Sequence, residues 1–209
     1  ALVHAAMDRL VSAYLSRLDQ YESLGLLAHN ANNVRVGSGG LGYVNSLPEE
    51  TQTTPAPPPN QLWGNATAQI FDSVSPAMHE EFALQYERRW MERFGLTYYG
   101  CCEPLHLKLG ILAKVPNLRK ISMSPWVDID AAANQMGDRY VFSRKPNPAL
   151  FAWDEWQPEE ARRALHDELV RADGCIIEVI MKDISTVRYE PQRLWDWAQM
   201  AAEVTEEFA

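Results

Sequence analysis

Cysteine is scarce in this chain: Cys101, Cys102 and Cys175 are the three in 209 residues. An odd count with two neighbours argues against a disulfide framework and points to reduced thiols in a cytosolic setting. Basic residues are outnumbered, Lys+Arg 19 against Asp+Glu 28, for a net charge of -9. That balance argues against a general nucleic-acid binder, which carries a basic surface. No run approaches the roughly 20 apolar residues of a membrane helix. The opening Ala1-Leu2-Val3-His4 lacks the basic region, apolar stretch and cleavage site of a signal peptide. It also lacks an initiating Met, which points to a processed chain or one cut from something longer. Neither Gly-rich phosphate-binding pattern is present, and there is no internal repeat.

The composition is that of a folded globular protein, 46% hydrophobic and 22% charged. Residues 1–209 are read as a single domain. Leu2, Ala6, Leu10, Tyr14, Leu18 and Tyr21 recur at helical spacing and predict an amphipathic helix over 2–22. Gly25 breaks it, and Leu26–His29 reads as a short buried strand. From about Asn30 to Trp63 the chain is rich in Gly, then in Pro, and predicts a long loop whose Pro-rich part is a semi-rigid surface excursion. Ser75-Pro76 starts a helix whose ridge is Met78, Phe82, Tyr86, Trp90 and Phe94. Thereafter the chain alternates. Strands are expected at 97–101, 119–123, 139–143 and 175–181, with helices at 105–115, 129–136, 158–172 and 191–208. Five strands spaced by helices imply right-handed βαβ units and a parallel sheet.

In such folds functional groups gather where strands end. The expected ends carry His29-Asn30, then Cys101-Cys102-Glu103-Pro104-Leu105-His106, then Ser122 to Asp128, then Ser143 to Pro148, then Lys182 to Thr186. Two thiols, a carboxylate and an imidazole within six residues suit zinc, whose catalytic sites use three protein ligands and an open position. Adjacent residues rarely both bind one ion, so Cys102 is the favoured ligand, with His106 or Glu103 beside it. The competing reading makes both Cys small buried residues and Glu103 a helix cap. Glu178 sits in an apolar strand and needs a partner, Lys145 or Lys182. Lys145 and Asn147 lie in Lys-Pro-Asn-Pro, where the prolines stiffen the backbone. Cys175 is expected in the core. His4, His79 and His166 are expected on the surface or in packing.

Gly100-Cys101-Cys102-Glu103-Pro104-Leu105-His106 resembles the centre of the uroporphyrinogen decarboxylase-like superfamily. Pro116 to Lys120, Ser124-Pro125-Trp126 and Lys145-Pro146-Asn147-Pro148 carry the same resemblance, as does Val74-Ser75-Pro76 with Glu81-Phe82 and Tyr86. It covers most of 66–206. The resemblance implies an α/β fold of the (β/α)8 TIM-barrel type. A full barrel needs about 250 residues, so this chain is expected to hold strands four to eight. An open half-barrel exposes apolar strand edges and invites a homo-oligomer or the missing N-terminal half as partner.

The family includes the decarboxylase of haem synthesis, zinc-dependent methylcobamide:coenzyme M methyltransferases and, more distantly, cobalamin-independent methionine synthase. The methyltransferases place His-x-Cys where this chain has Tyr99 and Cys101, or Gly100 and Cys102, with His106 as the replacement for the missing His. Their second Cys gives way to Lys182-Asp183. The Gly-His-Gly of the decarboxylases is missing, and their catalytic Asp lies in the absent half. The leading expectation is therefore a zinc-dependent methyltransferase. It would move a methyl group from methylcobamide on a corrinoid partner protein to a small-molecule thiol. Zinc would sit on Cys101, Cys102, Glu103 and His106. Glu178, Lys182 and Asp183 would be catalytic, and His29, Asn30, Ser124, Lys145 and Asn147 would bind substrate. The alternatives are decarboxylation of a polycarboxylate held by Arg144, Lys145 and Lys182, and a catalytically silent barrel fragment.

Overall fold

A computed structural model of the chain describes residues 1–48 and 56–209. The chain opens with α1 (Leu2–Ser23) and a small antiparallel hairpin, β1 (Arg35–Val36) and β2 (Gly40–Leu41). Five strands then run parallel in chain order: β3 (Trp63–Ala66), β4 (Leu96–Tyr99), β5 (Leu118–Met123), β6 (Val141–Arg144) and β7 (Ile176–Val179). Between β3 and β4 lie α2 (Pro76–His79), a π-helical turn at Glu80–Leu84 and α3 (Gln85–Met91). α4 (Leu109–Leu112), α5 (Ile129–Met136) and α6 (Pro158–Arg171) connect the later strands, and α7 (Gln192–Glu206) closes the chain. The result is an α/β fold with a five-stranded parallel sheet flanked by helices. No helix among the described residues is long and apolar enough to cross a membrane.

The first sheet strand is not Leu26–His29. That segment has no regular secondary structure and belongs to no sheet, and Leu26 is exposed. Trp63-Gly64-Asn65-Ala66, expected to lie at the end of a loop, pairs with Leu96–Tyr99 instead. Its two weak strand formers hide it from propensity, and pairing overrides them. Asn30 still has a task at this edge. Its side-chain amide donates to the Trp63 carbonyl at 3.0 Å and accepts from the Trp63 N–H at 2.9 Å. It therefore satisfies one residue of an otherwise open strand edge.

Alternation along the strands separates two faces. Tyr99, Ile121, Met123 and Phe142 point towards the helices and pack with Leu84, Met91, Leu112 and Met136. A second cluster joins α6 and α7 through Leu165, Leu169, Trp197 and Val204, while Trp195 is exposed. The opposite face is polar and carries Tyr98, Lys120, Ser122, Ser143 and Glu178. The Gly-rich hairpin lies directly on it. An added Cβ on Gly37 would stand 2.3 Å from the Tyr98 ring, and one on Gly40 would stand 2.6 Å from a Glu178 oxygen. Hence the loop is rich in Gly because its backbone touches side chains of the sheet. Lys120 Nζ binds the hairpin carbonyl of Leu41 and the Glu178 carboxylate, each at 2.7 Å. Glu178 thus pairs with Lys120, not with Lys145 or Lys182. The Pro-rich run is no surface excursion where it is described, since Pro57 and Pro59 are buried. Thr53, Thr54 and Pro55 lie outside the described residues.

The helix from Ser75 forms as its sequence suggests. Ser75 Oγ accepts from the Met78 N–H at 3.2 Å, and Pro76 occupies the first helical position.

Gly37 combines that contact with φ +57, where a side chain is strained. Gly37→Val is expected to cost about 2 kcal/mol or more, read as a lower urea midpoint. Gly110→Ala, with open space around it, is expected to stay within about 1 kcal/mol of the parent or above it.

Candidate functional site at the strand ends

The C-terminal ends of β4, β5, β6 and β7 converge on one cluster. After β4 the chain turns at Gly100, φ +96, so that Cys101 and Cys102 follow the strand directly. Ser122 donates to the Cys101 carbonyl and ties this turn to β5. Buried Glu103 accepts from the Cys101 N–H at 2.8 Å and from Thr67 at 3.1 Å. Both oxygens are spent on holding the turn, and Glu103 does not cap the helical turn that follows, the task the capping alternative gave it.

Lys182, just beyond β7, stands at the centre. Its Nζ lies 3.4 Å from Cys101 Sγ, 3.7 Å from Cys102 Sγ, 2.9 Å from Ser38 Oγ and 3.2 Å from Asp183 Oδ2. Ser38 donates to Cys101 Sγ at 3.2 Å, and Cys102 Sγ donates to Asp183 at 3.4 Å. The two sulfurs are 3.5 Å apart. The surroundings split the two thiols. Burial raises Cys101, but hydrogen bonds from Ser38 and Cys102, with the Lys182 charge, outweigh it and bring the thiol below its ordinary value. Burial, the hydrogen bonds to Cys101 and Asp183, and the negative charge on Cys101 push Cys102 up to about 11. Of the pair, Cys101 is the thiol that ionises more readily and Cys102 the one held neutral.

Lys145, at the end of β6, is buried, and its partners are the hydroxyls of Tyr98, at 2.8 Å, and Ser122. Tyr98 in turn meets Ser143 Oγ at 2.9 Å. No carboxylate pairs with this ammonium among the described residues. Burial and the Lys182 charge lower it to about 8, against the opposing pull of Cys101, Cys102 and Glu178. A cavity of about 380 Å³ opens beside the cluster, lined by Cys102, Trp126, Asn147, Asp183 and Thr186. That volume suits a small molecule.

The other expected site residues are placed elsewhere or differently. Asn30 serves the Trp63 backbone, as above. His29 is buried, and neither ring nitrogen has a partner among the described residues. The Ser124 carbonyl accepts from Arg144 at 2.6 Å, and its hydroxyl caps the local turn at Trp126. Arg144 itself forks onto Glu168, so it is not free for a substrate carboxylate. Asn147 accepts from the Ala149 N–H at 3.0 Å and still lines the cavity. Glu178 belongs to the Lys120 pair beneath the hairpin. The His106 backbone faces Gln135 of α5, and no hydrogen bond joins its ring to the thiols. Cys175 lies at the opposite end of the sheet, half-buried, with its thiol towards the Ala133 carbonyl.

The expected zinc set therefore does not assemble. Glu103 is engaged, and the His106 ring makes no hydrogen bond to either thiol. The cation that the sulfurs and Asp183 share is the Lys182 ammonium. Among the described residues no three His, Cys, Asp or Glu side chains are placed to hold a metal ion.

Reading the sequence also missed a buried chain behind the turn. His79, expected on the surface or in packing, is a fully buried packing residue and also bonds Tyr99 Oη at 2.6 Å. Tyr99 donates onward to Glu87 at 2.7 Å. Burial drives His79 down to about 4 and Glu87 up to about 7, so both favour their neutral forms. The i, i+8 spacing of His79 and Glu87 on a helical ridge was the available signal. Only the π turn and β4 bring both onto one hydroxyl. No protein-family model matches the chain, and no curated protein matches it.

Two measurements follow. Iodoacetamide should alkylate Cys101 with a midpoint below that of Cys175, whose thiol burial raises, and Lys182→Met should move the Cys101 midpoint up. An unmoved midpoint removes Lys182 as the stabilising cation. Glu87, raised from 4.5, contributes stability that is full below pH 4.5 and lost as pH rises through about 7. His79, lowered from 6.5, contributes stability that is full above pH 6.5 and lost as pH falls through about 4. The two slopes oppose each other. Glu87→Gln should expose the His79 slope, with unfolding free energy rising by up to about 3 kcal/mol from pH 4 to 6.5, against a flatter parent.

Proposed function

We propose that the chain is the strand-four-to-eight part of a uroporphyrinogen decarboxylase-like (β/α)8 barrel. Its strand-end site is assigned to an enzyme that transfers a methyl group from a corrinoid partner protein to a small thiol. Five parallel strands in chain order support the barrel reading. The observation that carries the chemistry is the Lys182 ammonium in contact with two sulfurs and a carboxylate.

In this reading the ammonium does what a metal ion does in related chemistry: it keeps sulfur anionic near neutral pH. A substrate thiol enters the cavity beside Cys102 and takes the place of that neutral, more distant sulfur at Lys182. Asp183 accepts its proton. The thiolate then attacks the methyl carbon. The S–C bond forms as the bond from methyl to donor breaks, and that electron pair leaves with the donor. Cys101 stays as the resident anion. Lys145 is the second cation that keeps two anionic sulfurs tolerable at short range. Asn147 and Trp126 line the entry and orient the substrate.

One observation favours the decarboxylase reading. Lys145 is a buried ammonium held by two neutral hydroxyls, a setting that suits an incoming carboxylate. With Arg144 committed to Glu168 and Glu178 to Lys120, that reading is left with Lys145 and Lys182 as its cations.

With methylcobalamin as donor and a panel of small thiols, loss of donor absorbance should report methyl transfer by the parent. Lys182→Met should lower kcat/KM by about 100-fold. Equal rates in parent and variant would sink the assignment. Release of carbon dioxide from a porphyrinogen polycarboxylate, abolished by Lys145→Met, would select the decarboxylase instead. Zinc is expected well below one ion per chain after purification without chelator. One zinc per chain, lost in Cys102→Ala, would return the site to metal-dependent thiol activation.

A further inference from the structure

We propose that Cys101 and Cys102 form a vicinal dithiol–disulfide couple that reacts with low-molecular-weight disulfides at the strand-end site. The proposal goes beyond methyl transfer and does not depend on it.

The geometry supplies each part of the exchange. The sulfurs already touch at 3.5 Å, and a disulfide bond of about 2.05 Å needs them to close by about 1.5 Å. Ser38 and Lys182 both donate to Cys101 Sγ, the arrangement that favours an attacking thiolate. Cys102 is within reach of a proton acceptor, Asp183 Oδ2 at 3.4 Å. Lys182 spans both sulfurs and can follow negative charge from one to the other. The cavity of about 380 Å³, with Cys102 in its wall, admits a small disulfide. Cys175 has none of these features.

The reaction balances as two-electron exchange. Cys101 thiolate attacks one sulfur of the incoming disulfide. A mixed disulfide forms and the first thiolate leaves. Cys102 gives its proton to Asp183 and attacks Cys101 Sγ. The Cys101–Cys102 bond forms, and the second thiolate leaves. Two protein thiols are oxidised and one external disulfide is reduced to two thiols. The joining peptide is trans and holds the two Cα atoms about 3.8 Å apart, below the usual 4.4–6.8 Å of disulfides. The ring is therefore strained and easily reduced, which is the behaviour of a reversible redox site. Closure also strips Lys182 of its thiolate, so the oxidised site loses the feature on which the proposed methyl transfer rests.

The full chain would be incubated with oxidised glutathione, blocked with iodoacetamide and analysed by peptide mass. The expected product is a peptide carrying Cys101 and Cys102 that has lost two hydrogens and resists alkylation, while Cys175 is alkylated. Excess reduced glutathione should reverse it. Cys102→Ser should stop at one glutathione on Cys101, and Asp183→Asn should let that adduct accumulate. Cys101→Ser should react at least about tenfold more slowly. A parent that carries only a glutathione adduct overturns the couple, as does one whose Cys101 reacts no faster than Cys175. Because the readout is mass on the parent chain, it stands whether or not methyl transfer is found.

Discussion

A parallel sheet with one polar face must cover that face without stranding its hydrogen-bonding groups. Much of this molecule follows from that constraint. Lys120, Glu178, Tyr98, Ser122 and Ser143 lie on the face away from the helices, where isolated charges are costly. The hairpin between α1 and β3 answers the constraint. It brings backbone close enough to accept from Lys120 and to lie against Glu178 and Tyr98. Side chains on the hairpin would hold it off, so the covering segment is built from Gly. The same hairpin brings Ser38 to Cys101 and Lys182. Cover and site are thus one structural event.

Lys182 and Lys145 divide the cationic work at the strand ends. Lys182 is partly exposed and is balanced by anionic groups, sulfur and carboxylate. Lys145 is buried and balanced by hydroxyl dipoles alone. The first arrangement stabilises a thiolate in place. The second leaves an ammonium with no carboxylate partner among the described residues, and burial, with the Lys182 charge, lowers its pKa. Two lysines of one chemical type shift in opposite directions: burial and the Lys182 charge lower Lys145, while Asp183 and the two sulfurs raise Lys182 against its own burial. The Cys pair repeats the pattern: adjacent thiols are split by hydrogen bonds that run into one sulfur and out of the other.

Behind the turn that presents the thiols, the His79–Tyr99–Glu87 chain fixes β4 from the helix side. Tyr99 and Cys101 are two residues apart, and Glu103 reaches back to the Cys101 N–H. The turn is therefore held from both faces of the sheet. Its position relative to Lys182 follows from packing rather than from the turn alone.

The alternation of strands and helices from Ser75 onward is legible in the sequence, because amphipathic period and capping are local properties. The sequence also puts Cys101, Cys102, Lys145, Lys182 and Asp183 at strand ends, since topology places them there once the strands are known. It did not reveal β3, because Trp63–Ala66 is a strand only through its pairing with Leu96–Tyr99. It did not show which polar residues at the ends meet. Glu178 chose Lys120, Arg144 chose Glu168 and Glu103 chose a backbone N–H, in each case because the nearest partner in space was remote or invisible in sequence. Ser38, more than 60 residues from the thiols, reaches them only because the Gly-rich hairpin folds back over the sheet. Burial raises both thiols alike, so it is proximity across the sheet, of Ser38, Asp183 and Lys182, that decided which thiol ionises more readily and which cation faces it.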